Sequence, residues 1–227
     1  MKKRIIPALV LSITFLGFII GCTKDISDAK LKDPAKLSED KAFIEFTTKT
    51  YDYLLFLSKT VKSSSLSMPD MQKKLSKLQN ENLPFTEQMN NIDIIFKAPV
   101  SKRLKEHMEM YKSDWDKIKS KYSTISQEVL EKECAEVLSN KYKKQSSITP
   151  NTVQRLTDPV DCGWRFYLCG GAATAGAVVC HASCDATAIA TTAGLGIPAC
   201  VALCGMMQAY ALVVCADTYC PNQISPN

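Results

Sequence analysis

The chain has 227 residues, with 28 Lys and Arg against 23 Asp and Glu, ten Cys and two His. A net charge of +5 over that length is too mild to mark a nucleic-acid binder, and two histidines exclude a His-rich metalloenzyme. Eight of the ten cysteines fall between Cys162 and Cys220, the density of a disulfide scaffold and foreign to a reducing cytosol.

At the N-terminus, Lys2, Lys3 and Arg4 precede an uncharged run from Ile5 to Gly21, and Cys22 follows. This pattern reads as a secretory signal, too short and wrongly flanked for a stable membrane span. Its end, Ile19-Ile20-Gly21-Cys22, resembles the lipobox of bacterial lipoprotein signal peptides. The resemblance implies cleavage before Cys22, acylation of that residue (palmitate among the chains) and a lipid anchor in a bilayer. Thr23 after the cysteine points, by the rule for enteric lipoproteins, to the outer membrane, on its periplasmic or surface face. An ordinary signal peptide with a chance cysteine is the alternative. Residues 1–21 are thus signal peptide and 22–37 a tether without periodicity.

From Ser38 the pattern turns helical. Ser38 is expected to cap the first helix, with Glu39 and Asp40 at the positive end of its dipole. Phe43, Phe46, Thr50, Tyr53, Leu54, Leu57 and Val61 then recur at steps of three and four. Pro69 can open a short helix carrying Met71, Leu75 and Leu78, and a weaker one covers Thr86 to Phe96. The clearest helix runs from Pro99 to Tyr122, with Val100, Leu104, Met108, Tyr111, Trp115, Ile118 and Tyr122 on one stripe. Ser126 can cap a last helix with Leu130, Cys134, Val137, Leu138 and Tyr142 inward. Residues 38–145 therefore read as a lysine-rich all-α bundle. Its mixed charge is the solvated face of such a bundle. His107, a lone histidine between Glu106 and Met108, is expected on the surface. Trp115 is expected in the core, and Cys134 as a buried free thiol. No nucleophile with a base, glycine-rich phosphate loop or acidic metal cluster stands out, so no catalytic residue, cofactor or metal is assigned.

Residues 146–160 are polar and carry breakers, Pro150 and Pro159 among them, and read as a protease-exposed linker. Beyond it, from Cys162 to Cys220, only Arg165, Asp185 and Asp217 are charged. The cysteines there stand at 162, 169, 180, 184, 200, 204, 215 and 220, with intervals of 7, 11, 4, 16, 4, 11 and 5. The list is nearly its own mirror image, as an antiparallel hairpin requires of partners equally far from its turn. Helical geometry agrees. At about 100° per residue, an interval of 11 returns to within about 20° of its start and one of 4 advances about 40°. Cys169, Cys180 and Cys184 thus share one stripe, and Cys200, Cys204 and Cys215 another. The expected bridges are 169–215, 180–204 and 184–200, with 162–220 closing the open end. Disulfides need Cα atoms closer than helix axes usually come, and runs such as Gly170-Gly171-Ala172-Ala173 supply the small residues. Residues 191–197 make the turn and Pro198 opens the second helix. Eight cysteines allow 105 pairings, so the mirror pairing is one of many. A zinc site built from Cys180, His181, Cys184, Cys200 and Cys204 is its rival.

Both arms are bare of charge over Phe166–Cys184 and Ala193–Ala216, each long enough to cross a bilayer as a helix. Two helices cannot hide an all-round apolar surface by themselves. Phe166, Tyr167, Leu203, Met206, Met207, Tyr210, Leu212 and Val213 therefore need a cover: the chain's own N-terminal bundle, a partner, or lipid.

The runs Val179-Cys180-His181-Ala182-Ser183-Cys184, Gly196-Ile197-Pro198-Ala199-Cys200 and Val214-Cys215-Ala216-Asp217-Thr218-Tyr219-Cys220 resemble the halocin-type cysteine-rich bacteriocin domain. The four-residue cysteine pairs are also similar, in spacing alone, to the plant α-hairpinin antimicrobial peptides. The resemblance spans residues 161–227 and none of the bundle. It implies an exported antimicrobial peptide at the C-terminus of a longer precursor, whose N-terminal part can serve as the immunity partner. The expectation is an all-α, non-enzymatic, bacteriocin-like lipoprotein: bundle plus disulfide-riveted hairpin, anchored by acyl chains, acting on membranes of competing bacteria, with the C-terminal peptide releasable at the linker. The alternative is a surface lipoprotein whose cysteine-rich module is structural or binds a protein.

Overall fold

Why the chain starts its first helix where it does is set by Asp40. Its carboxylate accepts from the backbone N–H groups of Ala42 at 2.8 Å and Phe43 at 3.4 Å, two of the donors a helix start leaves unpaired. Ser38, expected in that role, lies instead in a short 3-10 turn (Leu37–Glu39), and its N–H donates to Glu133 Oε2 at 2.7 Å. The local sequence offered several acceptors in a row, and a tertiary bond chose among them. Asp40 also accepts from Lys121 and from Tyr122 Oη, which ties the end of a distant helix to this one. The Lys121 ammonium is the main reason its carboxyl is held down to about 2.

The computed structural model describes residues 36–81, 83–122, 125–146, 163–191 and 196–220. The signal peptide, Cys22, most of the tether, Cys162 and all but the first residue of the expected linker lie outside them. Among the described residues every regular element is helical. After the 3-10 turn come α1 (Lys41–Ser63), α2 (Met68–Gln79), α3 (Phe85–Phe96), α4 (Val100–Lys121), α5 (Gln127–Ser146), α6 (Gly163–Thr191) and α7 (Ile197–Tyr219). This is the all-α bundle with a C-terminal helical hairpin that the periodicities predict.

The helix ends follow elementary capping chemistry. Ser67 accepts from the Asp70 N–H and Pro69 sits in the first turn of α2. Ser126 accepts from the Val129 N–H before α5. Pro198 sits in the first turn of α7, behind Gly196 at φ 99°, where a left-handed backbone makes glycine the natural residue.

The amphipathic helices turn their stripes inward. Phe43, Phe46, Thr50, Leu54 and Leu57 of α1, Met71, Leu75 and Leu78 of α2, and Leu104, Tyr111, Trp115 and Ile118 of α4 are buried. Leu54, Leu57, Met71, Leu75, Leu78 and Leu104 close around α7, whereas Phe43, Phe46, Tyr111, Trp115 and Ile118 form a second core with Leu130 and Val137 of α5 and Ala175 and Val178 of α6. α7 packs on α6, α1, α2, α3 and α4, whereas α6 packs mainly on α5 and α7. The main core therefore mixes residues of the bundle, such as Leu54, Leu57 and Leu75, with Ala202, Met206, Ala209 and Leu212 of α7. Small residues set the spacing. A Cβ at Gly171 would lie 2.5 Å from the Ala135 backbone N, so α5 and α6 touch backbone to backbone.

Two outcomes follow from these contacts. Gly171→Val should lower unfolding stability by about 3 kcal/mol in urea titration, because backbone of α5 must move to admit the side chain. Asp40→Asn keeps a capping acceptor but loses the ion pair, so it should cost about 1 kcal/mol at pH 7. The folded carboxyl of Asp40 is depressed, so its contribution is complete above its ordinary value and disappears as pH falls through about 2. Stability curves of parent and Asn variant should therefore converge at low pH.

Candidate functional site: the riveted hairpin and its histidine seam

The hairpin is a ladder. Cys169–Cys215, Cys180–Cys204 and Cys184–Cys200 are disulfides with Cα atoms 5.9, 5.8 and 5.8 Å apart. These are the three inner rungs of the mirror-spaced list. The 11- and 4-residue intervals put each set of three cysteines on one stripe of its helix, and the antiparallel turn faces the stripes. Cys220 is also disulfide-bonded, whereas the expected rung 162–220 has Cys162 outside the described residues. Cα spacings this short force the helices together, and glycine makes room: a Cβ at Gly176 would lie 2.8 Å from the Gln208 amide.

The two inner rungs nearly touch. Cys184 Sγ lies 3.6 Å from Cys204 Sγ, and the sulfurs of Cys184, Cys200 and Cys204 lie within 4.8 Å of one another. The rival zinc reading offered Cys180, His181, Cys184, Cys200 and Cys204 as ligands. His181 turns elsewhere, and these sulfurs are bonded in pairs as disulfides.

Most residues expected to need a cover have one. Phe166, Met206 and Leu212 are fully buried, Tyr167 and Val213 nearly so, and Leu203 and Met207 are half-buried. Tyr210 remains 39% exposed. Of the three possible covers, the bundle is the one seen: a Cβ at Gly205 would meet Leu57 and Tyr53 of α1, and Gly170 lies against Tyr51. Trp164, Leu168, Val214 and Tyr219 stay exposed near the open end of the hairpin.

The seam between sheath and hairpin carries few polar contacts. Ser58 Oγ donates to the Leu54 carbonyl at 2.6 Å and reaches the Ala209 carbonyl of α7 at 3.1 Å. Tyr111 Oη donates to the Val178 carbonyl of α6 at 2.8 Å. Lys62 pairs with Asp217 at 2.8 Å in the solvent-exposed rim. At the centre, His107 Nε2 of α4 faces His181 Nδ1 of α6 at 3.2 Å.

His107 is the correction to the sequence reading. It is buried, not on the surface. Steps of three and four from Leu104 to Tyr111 admit either position 107 or 108 on the inward stripe, and hydropathy favours Met108. The ring of Tyr53 stacks on His107 with centroids 4.1 Å apart, and Tyr111 stands edge-on to His181 at 5.4 Å. His107 Nδ1 and Tyr53 Oη are buried without a hydrogen-bond partner, and His181 faces the Val201 backbone. Burial in this apolar seam, with His181 close by, pushes His107 well below the usual histidine range. Burial likewise pushes His181 down to about 4, and the Val201 backbone opposes this only in part. Both rings are therefore neutral at pH 7. Cys134, as expected, is a buried free thiol, beside Thr47 Oγ1 and pushed up by burial to about 12.

Comparisons with family models, curated proteins and solved structures find no match.

What the site can do follows from where its covalent bonds run. All three described rungs lie within the hairpin, and the bundle's described cysteine is unpaired. Hairpin and sheath are joined by packing and a handful of hydrogen bonds. The closed loops of 46, 24 and 16 residues make each rung worth about 3 to 4 kcal/mol in the chain-entropy account, less than additively because they nest. Replacing both cysteines of a rung by serine should thus lower the denaturation midpoint most for 169–215 and least for 184–200. A peptide map without reductant should recover all three pairs from the native chain.

Proposed function

We propose that the chain is an exported, lipid-anchored, bacteriocin-like protein whose apolar hairpin acts on the membranes of competing cells once it leaves its helical sheath. The observation that carries this reading is the contrast in bonding: three disulfides rivet α6 to α7, and among the described residues no disulfide joins either helix to the bundle. Such a hairpin can change its surroundings without changing its own fold. In water it would expose the apolar faces of two helices. In a bilayer the same faces exchange one apolar environment for another, at little hydrophobic cost.

Composition supports the same destination. Gly163–Cys184 and Ile197–Tyr219 are each long and apolar enough to cross a membrane. The charges of the hairpin sit toward its ends, Arg165 and Asp217 at the open one and Asp185 toward the turn. Trp164 and Tyr219 lie at the open end, where aromatic side chains favour the membrane interface. The resemblance in cysteine spacing to the halocin-type domain points the same way, and the disulfides suit an oxidising, extracytoplasmic compartment. Cleavage in the linker would not by itself free the hairpin, because α5 and α6 pack backbone against backbone. Opening of the sheath is a separate step.

A second reading is favoured by the burial itself: a surface lipoprotein in which the hairpin is the permanent core of a binding module. The two differ in what happens at a bilayer. In the Trp115→Phe variant, Trp164 is the remaining tryptophan and starts largely exposed. On addition of anionic vesicles to the oxidised chain, its emission should shift to shorter wavelength, become sensitive to lipid-phase quenchers, and accompany release of entrapped dye. Unchanged emission together with intact vesicles would sink the membrane reading and leave the module.

A further inference from the structure

We propose that His107 and His181 form a proton-sensitive latch between sheath and hairpin, neutral when the seam is closed and opening it when protonated. This deepens, and rests on, the reading that the hairpin leaves the sheath. The geometry carries it. The pair joins α4 of the sheath to α6 of the hairpin in the middle of an apolar seam. With both rings neutral, one nitrogen donates and the facing one accepts across 3.2 Å. One added proton leaves a charge buried among apolar groups. A second turns both facing nitrogens into donors, so the hydrogen bond is lost and two like charges oppose each other.

Little nearby offsets that charge beyond the Val201 backbone, which favours the protonated form of His181 only in part. From α1 the pair meets the ring of Tyr53, from α4 Tyr111, and from α7 the Val201 backbone. Cys180, one residue from His181, is held in a disulfide and does not titrate. Among the described residues no carboxylate acts on either ring; the side chain of Asp185, four residues after His181, lies outside them. Glu106, next to His107, turns outward to Arg103. Tyr111 already spends its proton on the Val178 carbonyl.

The sign follows from linkage. Both folded values lie below the ordinary histidine value, so the open form, with solvated rings, binds protons more tightly. The closed form is favoured above about pH 6.5 and loses ground as pH falls. Each histidine contributes about a ten-fold shift in the closed-to-open ratio per pH unit. For His181 the loss levels off near its folded value of about 4. Asp40, held down to about 2, keeps its charge throughout that window.

The test uses the full oxidised chain without lipid. Binding of a dye specific for exposed apolar surface and hydrogen exchange of α4 are followed from pH 7.5 to 4.5, with helical content and disulfides checked at each point. Opening should rise by ten-fold or more per pH unit below 6.5 while helix and bridges persist. The His107→Phe, His181→Phe double variant keeps two flat rings and should flatten the curve. Should that pair fail to fold, His107→Gln should lower the slope by one proton. A flat parental curve, or an unchanged slope in the variants, overturns the latch. Dye release from anionic vesicles is then read at pH 7.5 and 5. Opening without release would overturn the membrane reading and keep the latch, whereas release at both pH values without a change in opening would do the reverse.

Discussion

A helix with no charge from Ile197 to Ala216 has no side that tolerates water, and the rest of the molecule is arranged around that fact. An amphipathic helix can lie at a surface, because one face is solvated. α7 has no charged face over that stretch, so most of it is covered, by α6 through the disulfide ladder and by α1, α2, α3 and α4 through packing, with Tyr210 and Val214 left exposed. The lysine-rich helices supply what α7 lacks. Their polar faces meet solvent, and their apolar stripes pack against the hairpin. Apolar burial is non-directional, so many arrangements of the stripes would satisfy it. The few polar contacts along the seam are what fix one register.

The distribution of covalent bonds divides the core into two kinds of contact. Within the hairpin, three rungs hold α6 to α7 whatever surrounds them. Between hairpin and sheath, Leu57, Tyr53 and Leu75 meet α7 through contacts that exist only while the bundle is closed. Loosening the second kind leaves the first intact. A domain of this size would ordinarily lose its helices along with its core, because isolated helices are marginal in water. The ladder removes that dependence by constraining the two helices to each other.

Much of this was readable from the residues because disulfide geometry is discrete. Intervals of 11 and 4 place cysteines on one helical stripe, and a mirror-spaced list leaves few ways to face two stripes together. The need for a cover over Phe166, Met206 and Leu212 was equally legible, since an uncharged helix states it outright. Which cover was not, because any apolar surface would serve. The same looseness hid the seam. Positions 107 and 108 both fit the inward stripe of α4, and the more apolar Met108 is the natural choice. Only the partner His181, 74 residues away, makes a buried histidine tolerable. At the start of α1 the sequence pointed to Ser38 as the cap, whereas Asp40 takes that role and the Ser38 N–H bonds to Glu133, a partner invisible locally.

The seam is asymmetric in a way that bears on its opening. Along α6 and α7 the backbone groups between the end turns are paired within their own helices, so the proposed move into lipid would strand no main-chain group outside those turns. The Val178 and Ala209 carbonyls accept a second bond from Tyr111 and Ser58, and each keeps its helical partner when that bond is broken. Lys62 and Asp217 part into solvent, where such pairs are worth little. His181 is the exception, the one described hairpin side chain in the seam that can gain a charge. It lies three residues before Cys184, at the end of the apolar stretch that begins at Gly163. In a spanning hairpin that position falls toward the margin of the hydrocarbon and not at its centre. If the hairpin inserts as proposed, a charge that is costly between α4 and α6 would be solvated at the membrane surface, and the ring whose protonation opposes the closed seam would not oppose insertion.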